Sequence, residues 1–514
     1  MRGILTSSFI LYAASSAFGA LIPYSQLKAR GQEYPRNALL DCLNNAGLDP
    51  VVQDDSAYAT DAAPFNLRFN WKPAALVYPH DSKGVAAAVK CGAKTGVKVN
   101  ARSGGHSYAA FALGGEDGHL TVSLDNLRHL SLNGTKGTFG AGNHLGDVAL
   151  YLWENGQRAL AHGTCPYVGV GGHAGQGGFG LPSRAWGLLS DQIQSLEIVT
   201  ADGSIRAASR TENADLFWAA TGAGASFGII TSFTAVTQKA LDSIAFSYTF
   251  ANYGAEEASK GLQAWQTFSN DPVNKLDTAV GLQIHVNPGS SPSGVVFSVS
   301  GVYYGVDEAK VNSTFAPLLE ELGTPTDIFL EKQDWITSVL YLAGVDSTAQ
   351  LNTTLAPDTH DTFFATSTFV PAAAPMNTNA SDALFKYFYG PGASSAVEWF
   401  VIFDLYGGGD SVVARADKDL NAFDARDALY SIQYYGTIPA SVSDADGIAF
   451  VQGMKTAVES NQPGTQFKEY VNYIDSTYTA AEAHTRYYPT HTERLKTLKD
   501  KYDPKRVINF PQDF

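Results

Sequence analysis

The chain has 514 residues, 45% apolar and 17% charged, with a formal net charge of −15. That apolar content builds large cores and excludes a disordered chain, and the length fits two or three domains at roughly 150 residues each. An acidic balance with no basic block argues against nucleic acid or anionic membrane as a partner.

The chain opens on MRGILTSSFILYAASSAFGA. Arg2 precedes an apolar stretch over residues 4–14, and Ala17 and Gly19 stand at the −3 and −1 positions of a cleavage site. This predicts a secretory signal over residues 1–19 and an extracellular protein. The apolar stretch is too short for a membrane span, and no later one is long enough. Asn133, Asn312, Asn352 and Asn379 each begin an Asn-x-Ser/Thr sequon, which suits a glycosylated secreted chain.

Residues 74–80 read as a strand. A helix follows, with Asp81 or Ser82 as N-cap and Gly96 just past its end, and then a strand over 97–104. This β-α-β rhythm opens a mixed domain. The alternation continues through 120–132 and into a helix over 145–154. A hairpin turns at Ala201-Asp202-Gly203, and residues 213–240 give a helix, a glycine-rich turn and a strand. From about 240 to 465 the texture changes to alternating strands interleaved with helices. That predicts an antiparallel sheet with one face free to bind. The C-terminal stretch reads as helical and ends in an extended tail. The expected class is α+β.

Cysteine is odd in number: Cys42, Cys91 and Cys165. Cys42 and Cys91 lie in the first domain and are able to pair. Cys165 lies in GTCPYVGVGGHAGQGGFG, and reads either as a buried inert thiol or as one put to use. Gly175, Gly177 and Gly180 match the dinucleotide fingerprint letter for letter. Nine glycines crowd residues 163–190, however, so a chance match is expected, and no such fingerprint stands near the mature N-terminus; the match is rejected as a fingerprint. Dense glycine instead lets a backbone approach a flat, charged ligand closely. ARSGGHSY follows a strand directly, with two glycines before His106. No metal-ligand spacing is present.

These motifs, with WGLLSDQI, DLFWAATGAGASFGIIT, FDLYGGG, YVNYID and the terminal KYDPKRVINFPQ, occur in this order. Together they resemble the secreted fungal flavin oxidases of the vanillyl-alcohol-oxidase and berberine-bridge-enzyme superfamily, the oligosaccharide oxidases in particular, over the whole mature chain. The resemblance implies an FAD-binding domain over 20–242 made of two α/β subdomains. It implies a substrate domain over 243–465 and a C-terminal segment, 466–514, that returns to the FAD domain. It implies FAD bonded twice, through His106 to the 8α-methyl and through Cys165 to C6, with Cys42 and Cys91 left as the disulfide. Two links would fix the ring and raise its potential.

By the same resemblance, the backbone of Arg102, Ser103, Gly104, Gly105, His106 and Ser107 cradles the pyrophosphate. Gly171, Gly172, Gly175, Gly178, Gly228 and Ile230 line the cofactor, and Asn509 and Gln512 sit near the ring, although the tail reads as readily as a structural strap. Tyr473 is the expected catalytic base, assisted by Asp404 as acceptor of the phenolic hydrogen bond. YVNY alone reads as an aromatic core stripe. Tyr108, Phe400, Tyr406, Gln433 and Tyr470 are the expected sugar contacts. Where the oligosaccharide oxidases carry Trp and Gln four and two residues before the aspartate, this chain has Phe400 and Ile402. Trp399, one residue off, points to the other face of the strand.

The expected activity is hydride transfer from the anomeric carbon of a reducing oligosaccharide to FAD, giving a lactone, with dioxygen reduced to hydrogen peroxide by a monomer. The apolar pair suits a berberine-bridge-like oxidase of an alcohol or amine as the alternative. A non-catalytic secreted binder is the alternative of another class.

Overall fold

The computed structural model describes residues 33–289 and 294–514. The expected signal over 1–19 lies outside the described residues.

Strands Ala75–Val77, Leu120–Ser123 and Val99–Arg102 form a small parallel sheet, with the 120–123 strand in the middle. The helix Ser82–Thr95 makes the crossover. Asp81 caps it by accepting from the Gly84 N–H, and Gly96 ends it in the left-handed region that glycine enters freely. The Cys42–Cys91 disulfide ties this helix to the helix Glu33–Asn45. A five-stranded antiparallel sheet follows, in the order Leu130–Asn133, Lys136–Gly140, Ile229–Val236, Ile193–Val199, Ile205–Ser209. The two sheets share one apolar core.

The second half is built on a seven-stranded antiparallel sheet. Its order is Asp327–Gln333, Ser243–Tyr253, Val295–Tyr303, Val280–Pro288, Glu398–Leu405, Ala428–Thr437, Phe363–Pro371. Alternation sorts its side chains. Trp399, Val401 and Phe403 join a core with Trp265, Phe315, Phe385 and Met454 of the helices behind. Trp399 stacks on Phe388 and donates to the Gly392 carbonyl, so it does lie on the face away from Phe400. The residues between, Phe400, Ile402 and Asp404, face the first half of the molecule.

The two halves are locked together. Arg184, wholly buried, donates to the carbonyls of Gly407, Asp277, Val280, Leu276 and Gly408. Arg426 makes a two-point ion pair with Asp191. Beyond the helices Ala480–Tyr487 and Thr492–Tyr502, the tail runs beside the 99–102 strand. Val99 donates to the Val507 carbonyl and accepts from the Asn509 N–H. No helix among the described residues is long and apolar enough to cross a membrane.

Of the four sequon asparagines, Asn133, Asn312 and Asn379 are exposed. Asn352 is half-buried, and its side chain accepts from the backbone and hydroxyl of Thr354.

Candidate active site

Two loops meet at the mouth of the first half. Gly104 and Gly169 press backbone against backbone: a Cβ on Gly169 would lie 2.0 Å from the Gly104 nitrogen, and one on Gly104 would lie 2.5 Å from the Gly169 nitrogen. Ser103 Oγ accepts from the Gly171 N–H at 3.1 Å and donates to the Ala141 carbonyl at 2.6 Å. The loop that carries His106 is thereby fixed to the glycine-rich segment that follows Cys165.

Four features of this junction suit a flat, phosphate-bearing cofactor. Among the described residues, the backbone N–H groups of Ser103, Gly104, Gly105, His106 and Ser107 have no partner in the chain. A run of free amides after a strand is an anion cradle. Gly172 is exposed, with open space where a Cβ would stand. Cys165 is a free thiol reachable by solvent, which removes the reading of a buried inert cysteine. Its surroundings are nonetheless dense enough that burial and the charge of Asp358 push the thiol up. A group reachable yet surrounded lines a cleft. His106 Nε2 lies 2.6 Å from Asp358 Oδ2, the Phe65 ring stacks on the imidazole at 3.9 Å, and Nδ1 has no hydrogen-bond partner among the described residues. Tyr167 Oη donates to the Ala356 carbonyl, so the loop bearing Asp358 joins the Cys165 and His106 neighbourhoods.

The sheet supplies the opposite wall, and register sets its rows. Asp404 lies opposite Gln283 on one side and Ser431 on the other. Ile402 lies between His285 and Gln433, with Ser367 beyond, and Phe400 pairs with Tyr435. Asp404 is buried, and its carboxyl has no hydrogen-bond partner among the described residues. Loss of water raises its carboxyl to about 7. Tyr473 stands nearby with a half-buried ring and an unpartnered hydroxyl. Burial first, and then the Asp404 charge, push that phenol well above 10. The ring lies parallel to Tyr108 at 5.8 Å, and the Tyr108 hydroxyl accepts from Gln433 Nε2 at 3.0 Å. Burial and neighbouring negative charge hold Tyr108 neutral as well. Phe400 and Tyr435 stack at 4.7 Å, giving the outer part of the wall an apolar face. The structure therefore brings His106, Cys165, Tyr108, Phe400, Asp404, Gln433 and Tyr473 together around one region.

The structure corrects some expectations and gives other expected residues partners within the protein. Tyr406 is wholly buried, stacked on Phe179 at 3.8 Å, so no face of it is open to a sugar. Tyr470 is buried too; its hydroxyl accepts from the Gly178 and Phe179 N–H groups and ties the sheet half to the glycine-rich loop. Gln512 is buried, with its amide donating to the Asp475 and Tyr478 carbonyls, so it is part of a strap. Asn509 belongs to the same strap. Ile230 packs its side chain on Gly175 and Gly224 in the core. Gly228 is required by protein: a Cβ there would meet the Val199 carbonyl at 2.5 Å. Gly178 is held likewise, with φ +78 and Leu189 close by. Arg102 is the last residue of the 99–102 strand, opposite Ser123, so the run of free amides begins at Ser103, and the Arg102 side chain donates to Asp61, Ser123 and Tyr78. Asp404 does not accept a hydrogen bond from Tyr473 in this structure; the two interact through charge alone.

The sequence reading missed Phe65, Asp358, His285 and Tyr435. His285 and Gln283 were accessible to it, since they alternate with Leu282, Ile284 and Val286 on a strand. Burial lowers the His285 imidazole to about 4, so it is neutral in the cleft. Asp358, 252 residues beyond His106 and on a loop, gave no signal.

Residues 73–209 match the model of an FAD binding domain, and residues 469–513 match the berberine and berberine-like model. The chitooligosaccharide oxidase of Gibberella zeae is 35% identical, over 93% of this chain and 94% of that protein. The chain belongs to the berberine-bridge-type FAD-linked oxidases. The glucooligosaccharide oxidase of Sarocladium strictum is 33% identical, over 92% of this chain and 93% of that protein. The solved glucooligosaccharide oxidase of Acremonium strictum has a TM-score of 0.85 at 32% identity, over 93% of this chain and 98% of that one. Its cofactor is described as 6-S-cysteinyl, 8α-N1-histidyl FAD. This chain is therefore an FAD-dependent oxidase, and the free amides, exposed thiol and open glycine suit that group.

Proposed function

We propose that the chain is a secreted oligosaccharide oxidase. In this reading FAD is held through His106 and Cys165, and the anomeric C1–OH of a reducing sugar is its substrate. The observation that carries the reading is Asp404: a buried carboxylate with no hydrogen-bond partner, raised to about 7 beside an unpartnered tyrosine hydroxyl. Such a pair is costly to a fold and is suited to proton transfer.

FAD would supply the hydride acceptor. The chain's own residues handle the proton. Tyr473 is neutral at working pH, so it accepts the C1 hydroxyl proton only as its own proton leaves. Ionised Asp404 is the charge that draws the proton onward, and this makes Tyr473 a relay with Asp404 as the titrating member. Gln433, Tyr108 and the neutral His285 offer hydrogen bonds to sugar hydroxyls, and the Phe400–Tyr435 face covers an apolar ring surface. Departure of hydride from C1 together with the hydroxyl proton gives a lactone. Dioxygen takes the two electrons and two protons and leaves as hydrogen peroxide.

Incubation with cello-, xylo- and chito-oligosaccharides while recording peroxide tests this; no turnover on any of them removes the sugar. The Phe400, Tyr435 and Ile402 surface favours a second reading, oxidation of an aromatic alcohol or amine. Under that reading, aromatic alcohols bleach the flavin anaerobically and sugars do not.

A further inference from the structure

We propose that Asp358 is the positioning residue for flavin attachment at His106: it fixes the imidazole tautomer that leaves Nδ1 free to bond, and it balances the charge that the bond creates. The inference rests on the reading of His106 as an attachment residue.

A carboxylate has no proton to give. Asp358 Oδ2 sits 2.6 Å from His106 Nε2, so Nε2 is the donor and carries the hydrogen. A neutral imidazole protonated there keeps its lone pair on Nδ1, which has no hydrogen-bond partner among the described residues. The histidyl link described for the Acremonium enzyme is at N1, the nitrogen next to the ring carbon bearing the side chain. The hydrogen bond therefore presents the nitrogen that the link requires.

The arrangement is held on both sides. Phe65 covers one imidazole face at 3.9 Å with an interplanar angle of 25°. Asp358 Oδ1 accepts from the Thr359 N–H at 2.8 Å, which turns Oδ2 to the ring. The loop is pinned next door, where Leu67 N–H donates to the Asp361 carbonyl and Asp361 Oδ2 accepts from Thr437 Oγ1. Nothing on the helix side of the sheet depends on Asp358, so its loss leaves the cores alone.

The step balances as follows. The Nδ1 lone pair forms a bond to the 8α carbon, and one C–H bond of that carbon breaks. The carbon's proton, the Nε2 proton and the two electrons end on the ring, which is left reduced; nothing is lost overall. Dioxygen then restores the oxidised ring and becomes hydrogen peroxide. Between bond formation and loss of the Nε2 proton the imidazole is a cation, and Asp358 faces it. An amide in place of the carboxylate would reverse this order: the Asn NH₂ donates to Nε2, forces the hydrogen onto Nδ1 and blocks the attacking lone pair.

The test is peptide mass analysis of purified holoenzyme with Asp358→Asn, Asp358→Ala and Asp358→Glu. In the parent protein one flavin should join the peptide bearing residue 106 to that bearing residue 165. Asp358→Asn should retain flavin on the Cys165 peptide alone, with occupancy at His106 down roughly tenfold or more. Asp358→Ala should fall between, and Asp358→Glu should recover the double link. The flavin potential should drop with the lost link, while the far-ultraviolet spectrum stays that of the parent. Full double linkage in both Asp358→Asn and Asp358→Ala would overturn the proposal. So would equal loss in Asp358→Asn and Asp358→Glu, because the charge would then not matter. A parent protein with no flavin on the His106 peptide would instead overturn the attachment reading beneath it.

Discussion

Replacing Asp404 with Asn should stabilise the protein while disabling it, and the gain should depend on pH. The carboxyl of Asp404 stands at about 7 where a free aspartate stands at 3.8, and desolvation is the cause. That difference is worth on the order of 4 kcal/mol. The native state keeps the proton up to about pH 7, and the unfolded chain releases it near 4. Between those values the unfolded state binds fewer protons, so stability falls as pH rises, by about 1.4 kcal/mol per unit. Asn resembles the protonated acid at every pH and escapes this loss. Urea unfolding of both proteins between pH 4.5 and 8.5 should show a difference that opens from the acid end and levels off above about 7. The same carboxylate must be ionised to draw the proton from Tyr473. The parent's kcat/KM should therefore rise with pH along a limb near 7, and that limb should vanish with Asp404→Asn. A stability difference that stays flat across this range would refute the desolvation argument.

Tyr473→Phe removes the hydroxyl proposed to relay the proton and keeps the ring stacked on Tyr108. Flavin reduction followed by stopped flow should slow by about 10²–10⁴, with flavin content unchanged. Arg184→Met strips the donor from five buried carbonyls at the junction of the two halves; thermal unfolding should report a loss of about 3–5 kcal/mol. Cys42→Ser opens a loop closed over a separation of 49 residues, and denaturant unfolding should report about 4 kcal/mol lost. Ile402→Gln puts an amide in the row between His285 and Gln433. It should lower the KM for oligosaccharides severalfold and leave the stability curve in place; an unchanged KM would place the sugar elsewhere.

Much of this was legible in the residues because local rules act locally. The helix after Asp81, the turn at Gly203 and the alternation around Asp404 each follow from capping, turn chemistry or pleat, and the structure has all three. Parity alone separated Trp399 from Phe400. What stayed hidden depends on distance along the chain. Tyr406 and Tyr470 look like sugar platforms in a list of aromatics, but Phe179 and the Gly178 amide close over them from another part of the molecule. Gln512 carries an amide that any binding site would use, and a neighbouring turn claims it first. Asp358 reaches His106 from a loop with no periodicity to betray it.

The strand that launches the His106 loop has its outer edge closed by residues 507–509, and the fully buried Lys499 gathers Asp503 and Asp513 beneath it. The ground under the loop that carries His106 is thus laid by residues 499–513, far along the sequence from it. Loosening that support, for instance by Lys499→Met, would unsettle the His106 loop without a single change inside the cleft.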